Sequence, residues 1–304
     1  WTFTRVHNGL TKIGGAQGAS EGDYDNDGDL DLLICSWQGE KKSLRLYRNE
    51  GGKSFIDATN NMFEITKRYG KQDGVTWADI NNDGWLDIHI LEGDIGGEGN
   101  GLLFINNQDG TFSQKSIPQG PGFMAGFEDL DHDGDWDMVY AGDNRIYLND
   151  GEGNFTASST FSTGKIHDPR AVAFADIDND GDADFFYAQK RSYNMLIRND
   201  LTGTGTNWLK IRLVSPSGQA GAFGAKVKTY EAGHVGESAS MICFREARSQ
   251  EGYLGQNDPV LHFGLGNRSK VDVEVTFLDG TVTKRNKVTA NQTIIIDGRR
   301  PTGG

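Results

Sequence analysis

A nine-residue acidic pattern that occurs four times constrains the fold of this chain more than any other feature. It has aspartate or asparagine at positions 1, 3, 5 and 9, glycine at position 6, and a short apolar run after position 9. The four copies begin at residues 23, 79, 129 and 176. Carboxylates this close together repel one another and favour an open, solvated loop. A cation among them is therefore expected.

The spacing of the pattern is typical of a calcium loop. Oxygen ligands at positions 1, 3 and 5, a glycine at position 6 and a carbonyl at position 7 match the first half of an EF-hand loop, although the closing carboxylate falls at position 9. The flanking segments have no helical period and predict strands. We expect about four Ca²⁺ ions, because the sequence offers no thiolate or imidazole cluster for a softer metal.

Each loop has a defined set of predicted ligands. The predicted side-chain ligands are Asp23, Asp25, Asp27 and Asp31; Asp79, Asn81, Asp83 and Asp87; Asp129, Asp131, Asp133 and Asp137; and Asp176, Asp178, Asp180 and Asp184. Position 7 is predicted to give only its backbone carbonyl, from Asp29, Trp85, Asp135 and Asp182. Solvated acidic turns without metal are the alternative, since aspartate and glycine are common in turns. Four copies of one spacing are hard to obtain from turns alone.

The repeats predict an all-β chain built from propeller blades. Successive loops are 56, 50 and 47 residues apart, which is within the range of blade lengths. Each of the first three units predicts four short strands, whereas the fourth lacks its closing strand. Residues 1–6 have the pattern of a closing strand. They could complete a ring of four blades, or insert into a neighbouring molecule, or follow blades absent from this chain.

The acidic loops end near residue 202, and a second domain is predicted beyond a linker-like stretch. Segments 208–214, 226–230, 271–277 and 292–296 alternate as strands with one buried face, and residues 278–281 predict a hairpin turn. We therefore predict a calcium-binding β-propeller at residues 1–204 and a small β-sandwich at residues 205–304. The glycine-rich tail at residues 298–304 is expected to be disordered.

Composition narrows the possible partners and the compartment. The net charge is −13, and the acid excess with no basic stripe argues against nucleic-acid binding. No apolar run is long enough to span a membrane. The chain begins at Trp1 without a methionine or a signal-like segment, which predicts a mature form or a fragment. Loops of this kind usually need the millimolar calcium found outside cells, so we expect a secreted protein.

The sequence contains no convincing catalytic set. The six histidines are scattered; we expect His132 to be a solvent-facing turn residue and His262 a hydrogen-bonded structural histidine. Arg245 and Glu246 could form the edge of a pocket, but a surface ion pair is the simpler interpretation. Both cysteines are expected to be buried and unpaired, with one disulfide as the alternative. Three glycosylation sequons begin at Asn154, Asn267 and Asn291.

These motifs resemble known families. The four units resemble FG-GAP/VCBS repeats, the calcium-loop blades of integrin α-chain propellers and of many secreted proteins. Segments 207–213, 221–227, 252–256, 262–266 and 277–280 resemble the UnbV/ASPIC domain. Together they resemble the cartilage acidic protein family over nearly the whole chain. Asn81 stands where the family usually has aspartate, which should make loop 2 the weakest calcium site. Gly255 stands where the family tends to have serine, and four repeats are fewer than its larger propellers contain.

Two classes of function follow from these observations. The first is a secreted, non-enzymatic binding, adhesion or assembly protein in which calcium rigidifies the blades, with an extracellular protein, a glycan or another copy as its partner. The alternative is a carbohydrate-active enzyme or sugar-binding module, since some VCBS-bearing proteins act on sugars. Trp37, Trp85, Trp136 and Tyr193 are the candidate sugar platforms, unless they pack in the core.

Overall fold

A computed structural model describes residues 9–10, 15–36, 44–59, 72–92, 101–117, 125–140, 145–158, 169–190, 192–201, 205–248 and 255–299. Within these ranges the chain is built of β-strands, with a short 3₁₀ turn at Ser238–Ser240, which confirms the predicted all-β class. The predicted strand at residues 1–6, Trp37 and the end of the tail at residues 300–304 lie outside the described residues.

The first three repeats each form a four-stranded antiparallel sheet with the strands in chain order. Repeat 1 contains β1 (Ala16–Gly22), β2 (Asp31–Ser36), β3 (Leu44–Asn49) and β4 (Phe55–Asp57). Repeat 2 contains β5 (Gln72–Ala78), β6 (Asp87–Glu92), β7 (Leu102–Asn106) and β8 (Phe112–Lys115). Repeat 3 contains β9 (Ala125–Glu128), β10 (Asp137–Tyr140), β11 (Arg145–Asn149) and β12 (Phe155–Ala157).

The fourth repeat has three strands in the described residues, as the sequence predicts. They are β13 (Pro169–Ala175), β14 (Asp184–Gln189) and β15 (Met195–Ile197). In every repeat the acidic loop connects the first two strands as a hairpin. The residue before position 1 pairs with position 9, as Gly22 does with Asp31 and Ala175 with Asp184. Position 9 thus begins a strand and is held in register by the ladder.

Neighbouring repeats pack face to face through their apolar side chains. Trp77 of repeat 2 is fully buried and stacks on Tyr24 of repeat 1, with ring centroids 6.3 Å apart. A second cluster joins Ile80 and Leu103 of repeat 2 to Phe127 of repeat 3, and extends into repeat 4. Burying one such side chain contributes roughly 1.5–3 kcal/mol. Closure of the four sheets into a propeller ring stays a prediction.

The C-terminal module consists of two sheets packed over one core. The first has the order β19-β16-β22 and includes one parallel pair, and the second has the order β18-β17-β20-β21. Their strands are β16 (Asn207–Val214), β17 (Lys226–Glu231), β18 (Met241–Glu246), β19 (Leu261–Gly266), β20 (Lys270–Thr276), β21 (Val282–Thr289) and β22 (Gln292–Asp297). Leu209 and Phe263 meet Val227 and Val273 in the core. All four predicted strands are confirmed, and Cys35 and Cys243 are buried and free, as expected.

Candidate metal centres

The four acidic loops share one backbone conformation. Position 4 has a positive φ in every loop, between 54° and 65°, and the position-6 glycine has φ between 86° and 105°. Position 4 is asparagine in three loops and His132 in the third. Only glycine adopts these angles without strain, and asparagine tolerates them better than most residues. The repeated Asn-Asp-Gly or His-Asp-Gly sequence is therefore required by the turn itself.

Backbone N–H groups of the same loop hold the aspartate side chain at position 1. In each loop its Oδ2 accepts the N–H of the position-6 glycine at 2.8–3.0 Å, as Asp23 does from Gly28 and Asp176 from Gly181. The Oδ1 atoms of Asp23 and Asp79 also accept the N–H of position 5. The position-1 carboxylate is thus held inside its loop by backbone donors.

Position 9 clamps the loop to the third strand of its sheet. The Oδ2 of Asp137 accepts the N–H of Leu130 at 3.0 Å, and its Oδ1 accepts the N–H of Asn149 at 3.0 Å. The same two bonds occur in every repeat, with the aspartate–asparagine pairs Asp31–Asn49, Asp87–Asn106, Asp137–Asn149 and Asp184–Asn199. Because a carboxylate oxygen has two lone pairs, these bonds leave acceptor capacity for a cation.

The predicted side-chain ligands converge in three of the loops. Carboxylate oxygens within 4.8 Å of one another come from Asp23, Asp25 and Asp27; from Asp129, Asp131 and Asp137; and from Asp176, Asp178 and Asp184. Position 5 holds the turn, since Asp27, Asp83, Asp133 and Asp180 each accept the N–H of position 7 through Oδ1. In loop 2 the side chain of Asn81 donates to Asp83 at 3.0 Å.

Each loop also contains one buried ligand oxygen with no hydrogen-bond partner. These atoms are the Oδ1 of Asp25, Asn81, Asp129 and Asp176. A buried acceptor without a partner costs about 1–3 kcal/mol, so a compensating group is expected beside it. All four atoms are hard oxygens at predicted ligand positions, which is the donor set that Ca²⁺ prefers. The converging carboxylates of loops 1, 3 and 4 therefore fit a hard divalent cation such as Ca²⁺, and loop 2 offers the same kind of oxygen with Asn81 in place of one carboxylate.

Burial opposes the charge of these carboxylates. It raises the pKa of Asp31 to about 8 and the pKa values of Asp79 and Asp129 to about 7, and it raises the pKa values of Asp87 and Asp137 well above their ordinary range. Neighbouring carboxylates add to the increase in all five cases. A divalent cation would reverse this balance, because it stabilises the ionised form.

The side chains of the three position-7 aspartates accept hydrogen bonds from neighbouring segments; their role as carbonyl ligands stays a prediction. Asp29 accepts the N–H of Gly51 at 2.7 Å, and Asp182 accepts the N–H of Leu201 at 2.6 Å. Asp135 accepts a bond from the Asn82 amide of loop 2 at 2.6 Å. Trp85 is partly exposed.

The C-terminal module packs directly against the loops, which the sequence does not reveal. Lys226 Nζ lies 2.6 Å from Asp23 Oδ2, and Lys210 pairs with the Oδ2 of Asp176. The backbone N–H of Gly264 donates to Asp129 Oδ2 at 2.8 Å. Three position-1 carboxylates thus receive a donor from this module. Residues 205–304 contain 13 Lys and Arg against 9 Asp and Glu, whereas residues 1–204 contain 17 against 34, so their charges are complementary.

Three residues depart from the simplest expectation where the C-terminal module meets loop 3; for Arg245 and Glu246 the alternative of a pocket edge holds. His132 is buried, with Nε2 3.6 Å from Asp182, because it lies under the C-terminal module. Both ring nitrogens of His262 lack a hydrogen-bond partner, and its ring centroid is 5.0 Å from that of His132. Arg245 is buried rather than in a surface pair; its guanidinium lies 4.0 Å from the Trp136 ring centroid and donates to the carbonyl of Gly134.

A small cavity of about 50 Å³ adjoins this interface and is lined by Glu128, Trp136, Arg245, Glu246 and His262, among others. It is too small for a sugar ring and has room for a few water molecules. Of the candidate sugar platforms in the described residues, Trp136 is buried, Trp85 is partly exposed and Tyr193 is exposed. Trp85 lines a separate, larger cleft of about 470 Å³ together with Asp83, Lys226, Lys228 and Glu274. Sugar binding stays the alternative prediction.

Sequence comparisons identify the two kinds of module. A family model described as FG-GAP-like repeat matches residues 23–90 and 129–187, and one described as ASPIC and UnbV matches residues 215–302. The chain carries FG-GAP-like repeats and a C-terminal ASPIC and UnbV domain. This confirms the resemblance inferred from the motifs, since the first model covers all four acidic loops and the second covers most of the C-terminal module.

The matches to related proteins cover almost all of this chain. Cartilage acidic protein 1 from Homo sapiens is 25% identical over 292 residues, covering 92% of this chain and 36% of the relative. The Xenopus tropicalis protein of the same name is 27% identical over 315 residues, covering 95% of this chain and 46% of the relative. The chain therefore spans less than half of the length of these relatives.

Among solved structures, the V. cholerae biofilm matrix protein Bap1 matches 90% of this chain and 59% of its own, with 13% identity and a TM-score of 0.33. A similarity this low supports no argument. Within the described residues, none of the helical structure is long and apolar enough to cross a membrane.

Proposed function

We propose that this chain is a secreted, non-enzymatic protein whose FG-GAP-like loops bind Ca²⁺, and that the bound ions stiffen the repeats for binding or assembly outside the cell. The observation that carries the proposal is the buried, unpartnered oxygen in each of the four loops, at Asp25, Asn81, Asp129 and Asp176. The similarity to proteins named cartilage acidic protein 1 supports an extracellular setting.

The proposed partner is an extracellular protein, a glycan or a second copy of the chain. The ions act on structure rather than on a substrate, because each loop offers a nearly complete set of protein oxygens and leaves little room for a reacting water. We also propose the division into a calcium-binding propeller at residues 1–204 and a β-sandwich at residues 205–304. Their shared interface means that calcium in the loops should also stabilise the second domain.

Calcium titration by calorimetry, followed by thermal unfolding with calcium and with a chelator, tests this function. We expect about four ions per chain, and each site occupied at 100 times its dissociation constant should add about 2.7 kcal/mol to the free energy of unfolding. Equal melting temperatures with calcium and with chelator would refute the proposal.

Two substitutions rank the sites. Asp180→Ala removes a charged ligand from loop 4 and should lower calcium affinity more than Asn81→Ala, which removes a neutral one. Asp109→Ala is the matched control, because Asp109 lies in an exposed Asp-Gly turn outside the loops and should leave calcium binding unchanged. A loss of affinity in the control as large as that in Asp180→Ala would count against specific sites.

A further inference from the structure

Neighbouring repeats are joined by the same side-chain hydrogen bond three times. An asparagine at the end of the third strand, or two residues beyond it in repeat 4, donates its amide to the carbonyl at position 2 of the preceding loop. These bonds run from Asn106 to Tyr24, from Asn149 to Ile80 and from Asn199 to Leu130, at 2.8–2.9 Å. One geometry therefore relates each repeat to the next.

A second contact repeats along the loops. Position 4 reaches forward to the turn of the following loop: Asn26 donates to the carbonyl of Gly84, Asn82 donates to Asp135, and His132 lies beside Asp182. His132 thus occupies the place of a linking asparagine. The equivalent residue of loop 4, Asn179, is exposed.

Repeat 4 exposes apolar side chains at positions that the earlier repeats bury. Ile177, Phe186 and Leu196 are 47%, 39% and 56% exposed. The equivalents of these three residues in repeats 1 to 3 are all at most 6% exposed: Tyr24, Ile80 and Leu130; Leu33, His89 and Val139; and Leu46, Leu103 and Ile146. The difference arises because each of those repeats is covered by the next one.

The exposed face of repeat 4 is also concave. Ile177, Phe186 and Leu196 line a cleft of about 350 Å³ together with Phe174 and Pro259. No described asparagine donates to the carbonyl of Ile177, the atom that would continue the series. We call this surface, formed by Ile177, Phe186 and Leu196, the open face. It has the apolar side chains and the backbone acceptor, the carbonyl of Ile177, of a contact between repeats, but no following repeat covers it.

We propose that the open face of repeat 4 binds repeat 1 of a second copy of this chain, head to tail. The inference deepens the proposed assembly function by naming the partner and the surfaces. The occupant is argued from continuity with the interface that already joins the repeats. Among the described residues, repeat 1 is the repeat whose equivalent asparagine, Asn49, makes no bond to another repeat. An interface formed from two different surfaces leaves one surface of each kind free, so copies add in series.

Repeat 1 carries two of the three features that the other repeats use for this contact. Asn49 is equivalent to the linking asparagines, and its amide donates only to Leu30 within its own loop, which leaves one amide hydrogen free. Phe55 begins the fourth strand, where Phe112 packs 6.1 Å from Tyr24 in the internal contact. Glu21 stands where repeats 2 to 4 have an aromatic residue. The contact between copies is therefore weaker than the internal one and depends on concentration.

Light scattering coupled to size-exclusion chromatography, in calcium-containing buffer over a range of protein concentrations, tests the proposal. The mass of the full chain should rise above 33.3 kDa with concentration. Leu196→Asp should keep the protein monomeric, whereas the matched control Ile295→Asp, at an exposed apolar residue of the C-terminal module, should associate as the unaltered protein does. Exposed substitutions of this kind change stability little, so folding should persist.

Mixing two blocked variants shows the direction of assembly. Leu196→Asp retains its repeat 1 surface, and Phe55→Asp, or Asn49→Ala if the first variant unfolds, retains its open face. Each alone should be monomeric, and an equimolar mixture should form dimers and nothing larger.

A protein that is monomeric at every concentration, or one whose association survives Leu196→Asp, would overturn the proposal. A monomer that Leu196→Asp destabilises would indicate closure of the ring by the chain's own segments. Calcium binding is measured on the same samples: its absence would refute the proposed calcium function, whereas normal calcium binding by a strict monomer would refute only the assembly.

Discussion

Asp137→Ala should destabilise the calcium-free protein through two buried backbone donors. Asp137 is fully buried and accepts the N–H groups of Leu130 and Asn149, each at 3.0 Å. An unsatisfied buried N–H costs about 1–3 kcal/mol, so losing both acceptors costs about 2–6 kcal/mol. Burial raises the pKa of Asp137, and removing this group relieves that penalty. We therefore expect the lower end, about 2 kcal/mol of unfolding free energy.

Urea unfolding in the presence of a chelator measures this change. Asp137→Asn retains one acceptor oxygen and should cost roughly half as much as the alanine variant. Asp109→Ala is the control, since Asp109 also accepts two hydrogen bonds but is exposed, and its loss should matter little. The reasoning fails if Asp137→Ala is as stable as the unaltered protein, or if the asparagine variant is the less stable of the two.

Further predictions concern pH and the interface with the C-terminal module. Burial raises the pKa of Asp31 to about 8 and the pKa values of Asp79 and Asp129 to about 7, so the calcium-free fold favours their neutral forms. The stability that these groups contribute is complete below their unfolded pKa of about 4 and is lost as pH rises through 7 to 8. Melting of chelated protein should therefore occur at lower temperature at pH 8 than at pH 5, and saturating calcium should reverse the order, because calcium binds the ionised carboxylates. In the presence of a chelator, Lys226→Met leaves buried Asp23 without a cation and should cost about 3 kcal/mol in urea unfolding. Lys284→Met, at a more exposed pair, should cost less than about 1 kcal/mol. Gly181→Ala should loosen the interface, because its Cβ would overlap the Trp208 ring. Faster hydrogen exchange in β16 would show this, and unchanged exchange would contradict it.

The sequence predicts the loops and strands well because both are local. The Asn-Asp-Gly turns need left-handed angles that few residues adopt, and the alternating apolar residues determine which face of each strand is buried. The clamp at position 9 could also have been found, because an asparagine stands at the end of the third strand at residues 49, 106 and 149, and just after it at residue 199. Alignment of the four units displays this asparagine, although its two roles require the structure.

The contacts of the C-terminal module could not be predicted because they depend on tertiary packing. Lys210 and Lys226 alternate with apolar residues on their strands, as ordinary solvent-facing lysines do. Nothing in their spacing indicates Asp176 or Asp23, which are 34 and 203 residues away. The sequence likewise predicts a solvent-facing His132, because its loop is exposed until the C-terminal module covers it. The open face of repeat 4 is likewise visible only by comparison with the repeats that are covered.

Anomalous diffraction from crystals grown with calcium tests the central claim most directly. The account predicts one peak in each loop, about 2.3–2.6 Å from the Oδ1 atoms of Asp25, Asn81, Asp129 and Asp176. Loops without any peak, with only the lysines of the C-terminal module beside their carboxylates, would contradict it.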